Sequence, residues 1–372
     1  MTVAADLRAA FAAPEPLTVG LEDELMLLDP DTWELTPRAP ELLTRLDGDL
    51  RFKLELPASQ LEIVTEPTAD LAAAIRQLLA ARRELAARAR GLALPAAAGA
   101  HPFSAGEGEL NRLARHRGTV ARYHPVIGRQ LVCALQVHVA VGDAASALAV
   151  YNAARGYLPL LAALAANAPF YEGGDSGLAS VRPKLCELLP RQGVPPPIAT
   201  WEQFAADLAW QRGALAEAGA WWWELRPHAA FGTLEFRVPD GQTTVADAAA
   251  VAAVAQALVG WLAERHQGGE PLPAAPSWRI AENRWSACRD GVEGAMADLQ
   301  SGAVRPTREW LNELLEQLEP VAGRLGSSSA LAHARELVER NGAIAQRAVA
   351  AEVGPCGLAK WLAERFLEAP AG

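Results

Sequence analysis

Apolar residues recur along this chain at two different spacings. At period two they mark strands over residues 17–28, 52–56, 61–65, 131–141 and 233–238. At period 3.6 they mark helices. "TADLAAAIRQLLAARRELAARARGL" sets Leu71, Ile75, Leu78, Leu79 and Leu85 near one face, with arginines crowding the other. Similar patterns predict helices over 145–167, 201–217, 245–265, 307–318 and 329–349. Glycine, proline and serine cluster at "YEGGDSG", "PRQGVPPPIAT", "QGGEPLPAAPS" and "RLGSSS", which are the expected breaks. Strands and helices do not alternate strictly, and long helical inserts separate the strands. This pattern predicts an α+β fold with an antiparallel or mixed sheet rather than a doubly wound one. No fixed repeat and no linker is visible, so residues 1–372 read as one domain. Its core sheet and inserts occupy about 15–265, and a helical C-terminal part over about 277–370 is expected on the outer side of the sheet.

The strand patterns carry an oddity. In "LTVGLEDELMLLDP", Val19, Leu21, Leu25 and Leu27 share one face, with Asp23 as its odd member. Glu22 and Glu24 share the other face, beside Met26 and Leu28. Two carboxylates on a buried-looking strand call for a cation. The same pattern returns in "FKLELPASQLEIVTEP", where Glu55 and Glu62 each sit between apolar neighbours. In "LVCALQVHVAV" an apolar face leaves Gln136 and His138 opposite, and in "TLEFRVPD" Glu235 and Arg237 oppose Leu234, Phe236 and Val238. Asp240 follows once Pro239 has ended that strand.

If these strands join one sheet, a single face collects Glu22, Glu24, Glu55, Glu62, Gln136, His138, Glu235 and Arg237. At a separation of ~4 Å and an effective dielectric of ~20, each pair of carboxylates repels by roughly 4 kcal/mol. Protonation, arginine or divalent metal relieves such crowding. Five carboxylates with one imidazole suit Mg²⁺ or Mn²⁺ rather than a thiolate-loving metal. Taken singly, each glutamate reads as an edge residue reaching solvent or paired with arginine. Four strands with the same pattern favour the metal site.

Composition narrows the rest. Hydrophobic residues make up 51% of the 372 and charged residues 21%, enough for a sizeable core. A formal charge of −10 argues against nucleic acid as a partner. Lys53, Lys184 and Lys360 are the only lysines. Cys133, Cys186, Cys288 and Cys356 form no C-x-x-C pair, and "MTVAADLRAAFAAPEPL" lacks the pattern of an export signal, so a cytoplasmic setting is expected. The apolar run over 245–263 carries Asp247 and Gln256 and reads as a buried helix, with no membrane partner. There is no P-loop, no H-E-x-x-H, no G-x-S-x-G and no G-x-G-x-x-G. His101, His116, His124, His228, His266 and His333 lack ligand spacing and for the most part read as surface or turn residues, and Trp221 to Trp223 read as core and helix-packing material.

Several stretches then carry a family likeness. "TVGLEDELMLLDPDTWEL", "FKLELPASQLEIVT", "LQVHVAVGD", "YLPLLAALAANAPFYEGGDSGLASVR", "GTLEFRVPD" and "ENRW" stand in the order found in the carboxylate–amine ligases. These are also called type-two, or YbdK-like, glutamate–cysteine ligases, and they are relatives of glutamine synthetase. The resemblance runs from about Leu17 to beyond Trp285. It implies one catalytic domain built on a curved, mainly antiparallel sheet whose concave face holds ATP and two or three Mg²⁺ ions. By the family's pattern Glu22, Glu24, Glu55, Glu62, His138 and Glu235 are metal ligands or immediate neighbours of the metals. Glu235 and Arg237 are the catalytic candidates, Arg237 steadying the transferring phosphoryl group. Arg226 in "WELRP" and Arg284 in "ENRW" join Arg237 as candidates for holding phosphate or substrate carboxylate. Glu224 stands where many relatives have Asp.

The implied reaction joins a small-molecule carboxylate to an amine, with glutamate and cysteine as the expected pair, through an acyl phosphate made from ATP. The same ligase chemistry on another amine or carboxylate, a metal-dependent amide or phosphoester hydrolase, and a catalytically idle homologue stay open, as does a homo-oligomer. "YEGGDSG" and "RQGVPPPIAT" are expected to cover the site.

Overall fold

The structure is a computed structural model, and it describes residues 3–111, 117–123, 125–215 and 221–370. His116, His124 and the end of the helix expected over 201–217 lie outside the described residues. The strands, in chain order, are β1 (Val19–Leu28), β2 (Phe52–Leu54), β3 (Gln60–Val64), β4 (Leu94–Ala96), β5 (Leu135–Ala140), β6 (Phe170–Tyr171), β7 (Gly174–Asp175), β8 (Leu225–His228), β9 (Thr233–Phe236), β10 (Ala295–Ala297) and β11 (Val304–Pro306). Seven form one sheet in the order β2-β3-β1-β5-β9-β8, with β4 also paired to β1. Every strand pair in it is antiparallel. β6–β7 and β10–β11 are separate two-stranded ribbons.

All five expected strands are present, four trimmed by two or more residues and the one expected over 61–65 shifted by one to Gln60–Val64. Two strands of the sheet carry no period-two signal, because each is short and contains a proline: β4 holds Pro95 and β8 holds Pro227. Pro227 is tolerated because β8 is the rim of the sheet, where a missing N–H breaks no interior ladder.

One face of the sheet is apolar except at Asp23. Leu21, Leu25, Leu61, Ile63, Leu135, Val137, Val139, Leu234 and Phe236 are buried there. They pack with the helices Leu71–Ala89 and Val245–Gln267. Val245–Gln267 is long and apolar enough to cross a membrane by composition, yet most of it is buried inside the fold, as expected of a core helix. Its alanines and Gly260 let neighbours approach closely: a Cβ at Gly260 would lie 2.9 Å from the Val321 side chain. Thr244 caps its first turn, accepting from the Asp247 N–H at 2.9 Å.

Asp23 belongs to this apolar face, and its missing cation is Arg82. Both side chains are fully buried, with Arg82 donating to the two Asp23 oxygens at 2.8 and 3.1 Å. Arg82 also donates to the carbonyls of Gln242, Thr243 and Phe366. This corrects the expectation that arginines keep to the solvent face of that helix. Arg82 continues the apolar stripe of Leu71, Ile75, Leu78 and Leu85, whereas Leu79 is only partly buried.

Two long helical expectations are broken. The segment 145–167 becomes Ala144–Ala154, a 3₁₀ turn at Arg155–Tyr157 and Leu158–Leu164. Pro159 sits in the first turn of that second helix, where its missing N–H costs nothing. The segment 329–349 becomes Ser328–Glu339 and Gly342–Glu364, the latter capped by Asn341 and kinked at Gly354 (φ 71°) before Pro355. The C-terminal helices divide between the two sides of the sheet, the first two on the expected outer side. Thr307–Arg324 and Ser328–Glu339 lie against Val245–Gln267 as an additional helical layer. Leu358, Ala359 and Leu362 instead cover Met26 and Leu28, on the same side of β1 as Glu22 and Glu24.

Candidate active site

The polar face is real, and strand register arranges it in rows. Gly20, His138, Glu235 and Arg226 lie opposite one another across β1, β5, β9 and β8. Two residues along, Glu22 faces Gln136, and backbone pairing continues from Arg237 to Glu224. Two further along, Glu24 faces Glu62, which in turn faces Lys53. Each two-residue step advances about 7 Å along a strand.

The first row and Glu22 form a ligand cluster. One donor atom each from Glu22, His138 and Glu235 lie within 4.8 Å of one another. His138 Nδ1 meets the Thr233 hydroxyl at 3.0 Å, while its Nε2 is buried without a hydrogen-bond partner and stands 3.4 Å from Glu22 Oε1. With Nδ1 satisfied by Thr233, Nε2 stands beside two carboxylates, able to turn a lone pair to a cation or an N–H to Glu22. This donor set fits a hard divalent cation. Burial would raise the Glu22 carboxyl, but the His138 imidazole beside it holds it down at about 2. Glu235 is fully buried, and against the cost of that burial Arg237 and Arg226 hold it well below the usual carboxylate range. Arg226 Nε donates to one Glu235 oxygen and Arg237 Nη1 to the other, and Arg237 Nη1 also reaches Gln136 Oε1.

The remaining acidic candidates lie further along the same face. Glu24 accepts from the Ala134 N–H and the Gln136 amide, each at 2.6 Å, and burial pushes its carboxyl up. Glu62 is pushed well above the usual range by burial and by the charges of Glu55, Glu22 and Glu24, with Lys53 at 3.6 Å offsetting part of this. Glu55 follows the end of β2 and lines a cavity with Glu24. The six acidic and imidazole candidates therefore share one face but not one cluster. Glu22, His138 and Glu235 converge, and Glu24, Glu62 and Glu55 form an adjoining, negatively strained patch.

That cavity, of about 250 Å³, is the pocket at the far end of the face from His138. Arg237, Arg182, Glu224, Gln130, Cys186 and Trp222 help to line it. Gln192 and Gly193 of "RQGVPPPIAT" border it as expected, but no residue of "YEGGDSG" does. That loop forms the β6–β7 ribbon, and Asp175 within it pairs with Arg347 on the kinked C-terminal helix at 2.9 Å. Arg284 lies apart from the Glu22–His138–Glu235 cluster. It is buried against Glu224 at 2.6 Å, so the glutamate in place of aspartate extends to meet this arginine. Trp221 packs on Phe204 as expected of core material, whereas Trp222 turns toward the cavity.

Four residues escaped sequence reasoning. Arg182 closes the stretch "YLPLLAALAANAPFYEGGDSGLASVR". It donates to the Arg237 and Val238 carbonyls and lies 3.5 Å from Asp240, and its buried Nε lacks a partner. Lys53 escaped because it alternates onto the face only once the register with Glu62 is known. His228 and Phe231 stack beside His138, brought there by the unforeseen strand β8.

Comparison with known proteins agrees in extent. The family described as glutamate–cysteine ligase family 2 matches residues 18–355. A relative in Rubrobacter xylanophilus, named by inference glutamate–cysteine ligase 2-3, is 38% identical, covering 94% of this chain and 96% of its own. One in Gloeobacter violaceus, named by inference glutamate–cysteine ligase 2, is 34% identical over 91% and 94%. Among solved structures, a glutamate–cysteine ligase of Francisella tularensis in complex with AMP superposes with a TM-score of 0.70 at 12% identity, covering 95% of this chain and 89% of the other. A bifunctional glutathione synthetase of Pasteurella multocida gives 0.64 at 14%, covering 98% of this chain and 53% of the other. At such identities the likeness shows the fold.

Proposed function

Since the chain belongs to glutamate–cysteine ligase family 2, we propose that it is an ATP-dependent carboxylate–amine ligase joining the glutamate side chain to cysteine. The observation carrying this reading is the order of groups along one face: a carboxylate–imidazole cluster, then Arg237, then a cavity with cationic and carboxylate walls. That order suits a nucleotide held at one end and an acceptor carboxylate at the other.

In this reaction a substrate carboxylate oxygen attacks the γ-phosphorus, the bond to the ADP oxygen breaks, and an acyl phosphate forms. The amine then attacks the acyl carbon, the bond to phosphate breaks, and the amine loses a proton as the amide forms. Such transfers demand positioning and charge neutralisation more than covalent help. Arg237, steadied by Glu235 and Gln136, is placed to meet the charge on the transferring phosphoryl group. Arg226 fixes the other oxygen of Glu235 and so the direction of both side chains. Arg182, which lines the cavity, supplies positive charge for a substrate carboxylate there. Bound Mg²⁺ or Mn²⁺, held by Glu22, His138 and Glu235 with Glu24, Glu62 and Glu55 as adjoining oxygen donors, would neutralise phosphate charge.

The test is incubation with ATP, Mg²⁺, glutamate and cysteine, with the amide read by mass and ADP release followed in parallel. Amide formed in step with ADP supports the assignment. Cysteine without effect would shift it to another amine, and turnover without nucleotide would replace ligation by hydrolysis.

A further inference from the structure

The turn between β8 and β9 places an aromatic side chain where the assigned chemistry gives it no task. Phe231 is 57% exposed, although it lies beside the buried His138. Its ring stacks on His228 with centroids 4.3 Å apart and planes 11° from parallel, and it lies 5.7 Å from the His138 ring. His228 Nδ1 is buried without a hydrogen-bond partner.

The turn is firmly mounted. The Phe231 and Gly232 N–H groups both donate to the His228 carbonyl. Gly232 has φ 66°, and a Cβ there would lie 2.1 Å from the Ala10 carbonyl oxygen, so the tip rests directly on the N-terminal helix Val3–Ala12. An exposed aromatic held this way is a preorganised flat surface.

Its place along the face indicates the occupant. His228 pairs with Thr233, one two-residue step beyond the row of His138, Glu235 and Arg226, on the side away from the cavity. A nucleoside triphosphate whose phosphates lie at the Glu22–His138–Glu235 cluster extends its base by roughly such a step or two, about 7 Å each. The cavity end stays free for the acceptor. We propose that Phe231, backed by His228, is the stacking platform for the purine base of that nucleotide. This rests on the nucleotide-dependent reading above. Every purine has a π-face, so the platform supplies affinity, and discrimination between adenine and guanine falls to other contacts.

Calorimetric titration of MgATP and of magnesium tripolyphosphate into the wild type, Phe231→Ala and Phe231→Trp tests this. Base stacking removed by alanine substitution is worth about 5- to 150-fold in affinity. Phe231→Ala is therefore expected to weaken ATP by that factor and leave tripolyphosphate within about twofold, while Phe231→Trp retains ATP binding and has its added indole fluorescence quenched by ATP. ATP binding unchanged in Phe231→Ala overturns the platform alone, and so does equal weakening of tripolyphosphate. Wild type that binds neither ligand overturns the nucleotide reading and the platform with it.

Discussion

Replacing Arg82 by methionine probes the junction on which the whole sheet sits. The guanidinium is fully buried and makes two hydrogen bonds to Asp23 and one each to the carbonyls of Gln242, Thr243 and Phe366. Breaking one partner of a buried ion pair costs about 3–5 kcal/mol, because the other charge is left without compensation. Burial already pushes the Asp23 carboxyl up with Arg82 beside it, so without Arg82 it folds only by taking up a proton. The three carbonyls lose their donor as well, at roughly 1 kcal/mol each. A loss of at least ~4 kcal/mol is expected, a large share of the ~5–15 kcal/mol typical of a folded domain. Urea unfolding followed by tryptophan fluorescence measures it. The double variant Asp23→Leu with Arg82→Met is expected to recover the ion-pair share but not the carbonyl share, leaving a deficit of about 2–3 kcal/mol. Arg82→Met unfolding within ~1 kcal/mol of wild type would refute the reasoning, since the five contacts would then be interchangeable with water.

Arg237→Ala is expected to leave ATP affinity nearly unchanged and lower kcat by about 100-fold or more, as for loss of a group acting in the transition state; equal losses of binding and rate would contradict that role. Glu62→Gln removes one of the crowded carboxylates, so its melting temperature in EDTA should rise above that of wild type while the rise produced by Mg²⁺ shrinks; thermal melts with and without Mg²⁺ check both. His333 is held above its ordinary value chiefly by its hydrogen bond to Asp247 at 2.9 Å, despite partial burial and with help from Glu336. The folded-state value is the raised one. The stabilisation is therefore complete below about pH 6.5, the unperturbed histidine value, and is lost as pH rises through the folded value. His333→Gln should flatten the unfolding midpoint across that window, and an unchanged pH profile would show that the contact contributes nothing.

Much of the site was legible because alternation is a local rule. Once Glu22, Glu24, His138, Glu235 and Arg237 were read on strands, they had to share faces with one another, and the antiparallel register did the rest. What alternation cannot show is how far apart such residues stand across the sheet. Glu55 and Glu62 therefore share the face without joining the Glu22–His138–Glu235 cluster. Arg284 stands apart from that cluster, and its partner Glu224, 60 positions away, is known only from the fold. Arg82 was readable, since its spacing from Leu78 and Leu85 puts it on the apolar stripe, but charge overrode position in assigning it to solvent. The β8 strand was not readable. Four residues with a proline lack the period-two signal, and so His228 and Phe231 stayed hidden in an apparent turn.

The rims of the sheet bear on how this protein behaves in a crowded solution. One border is β2, only three residues long, and the other is β8, four residues interrupted by Pro227. A foreign strand arriving at either side finds too few open donors and acceptors to grow upon. The long, charge-laden strands are shut inside, each already zipped on both flanks. Their electrostatic tension can thus be spent on ligands without inviting neighbouring molecules to polymerise.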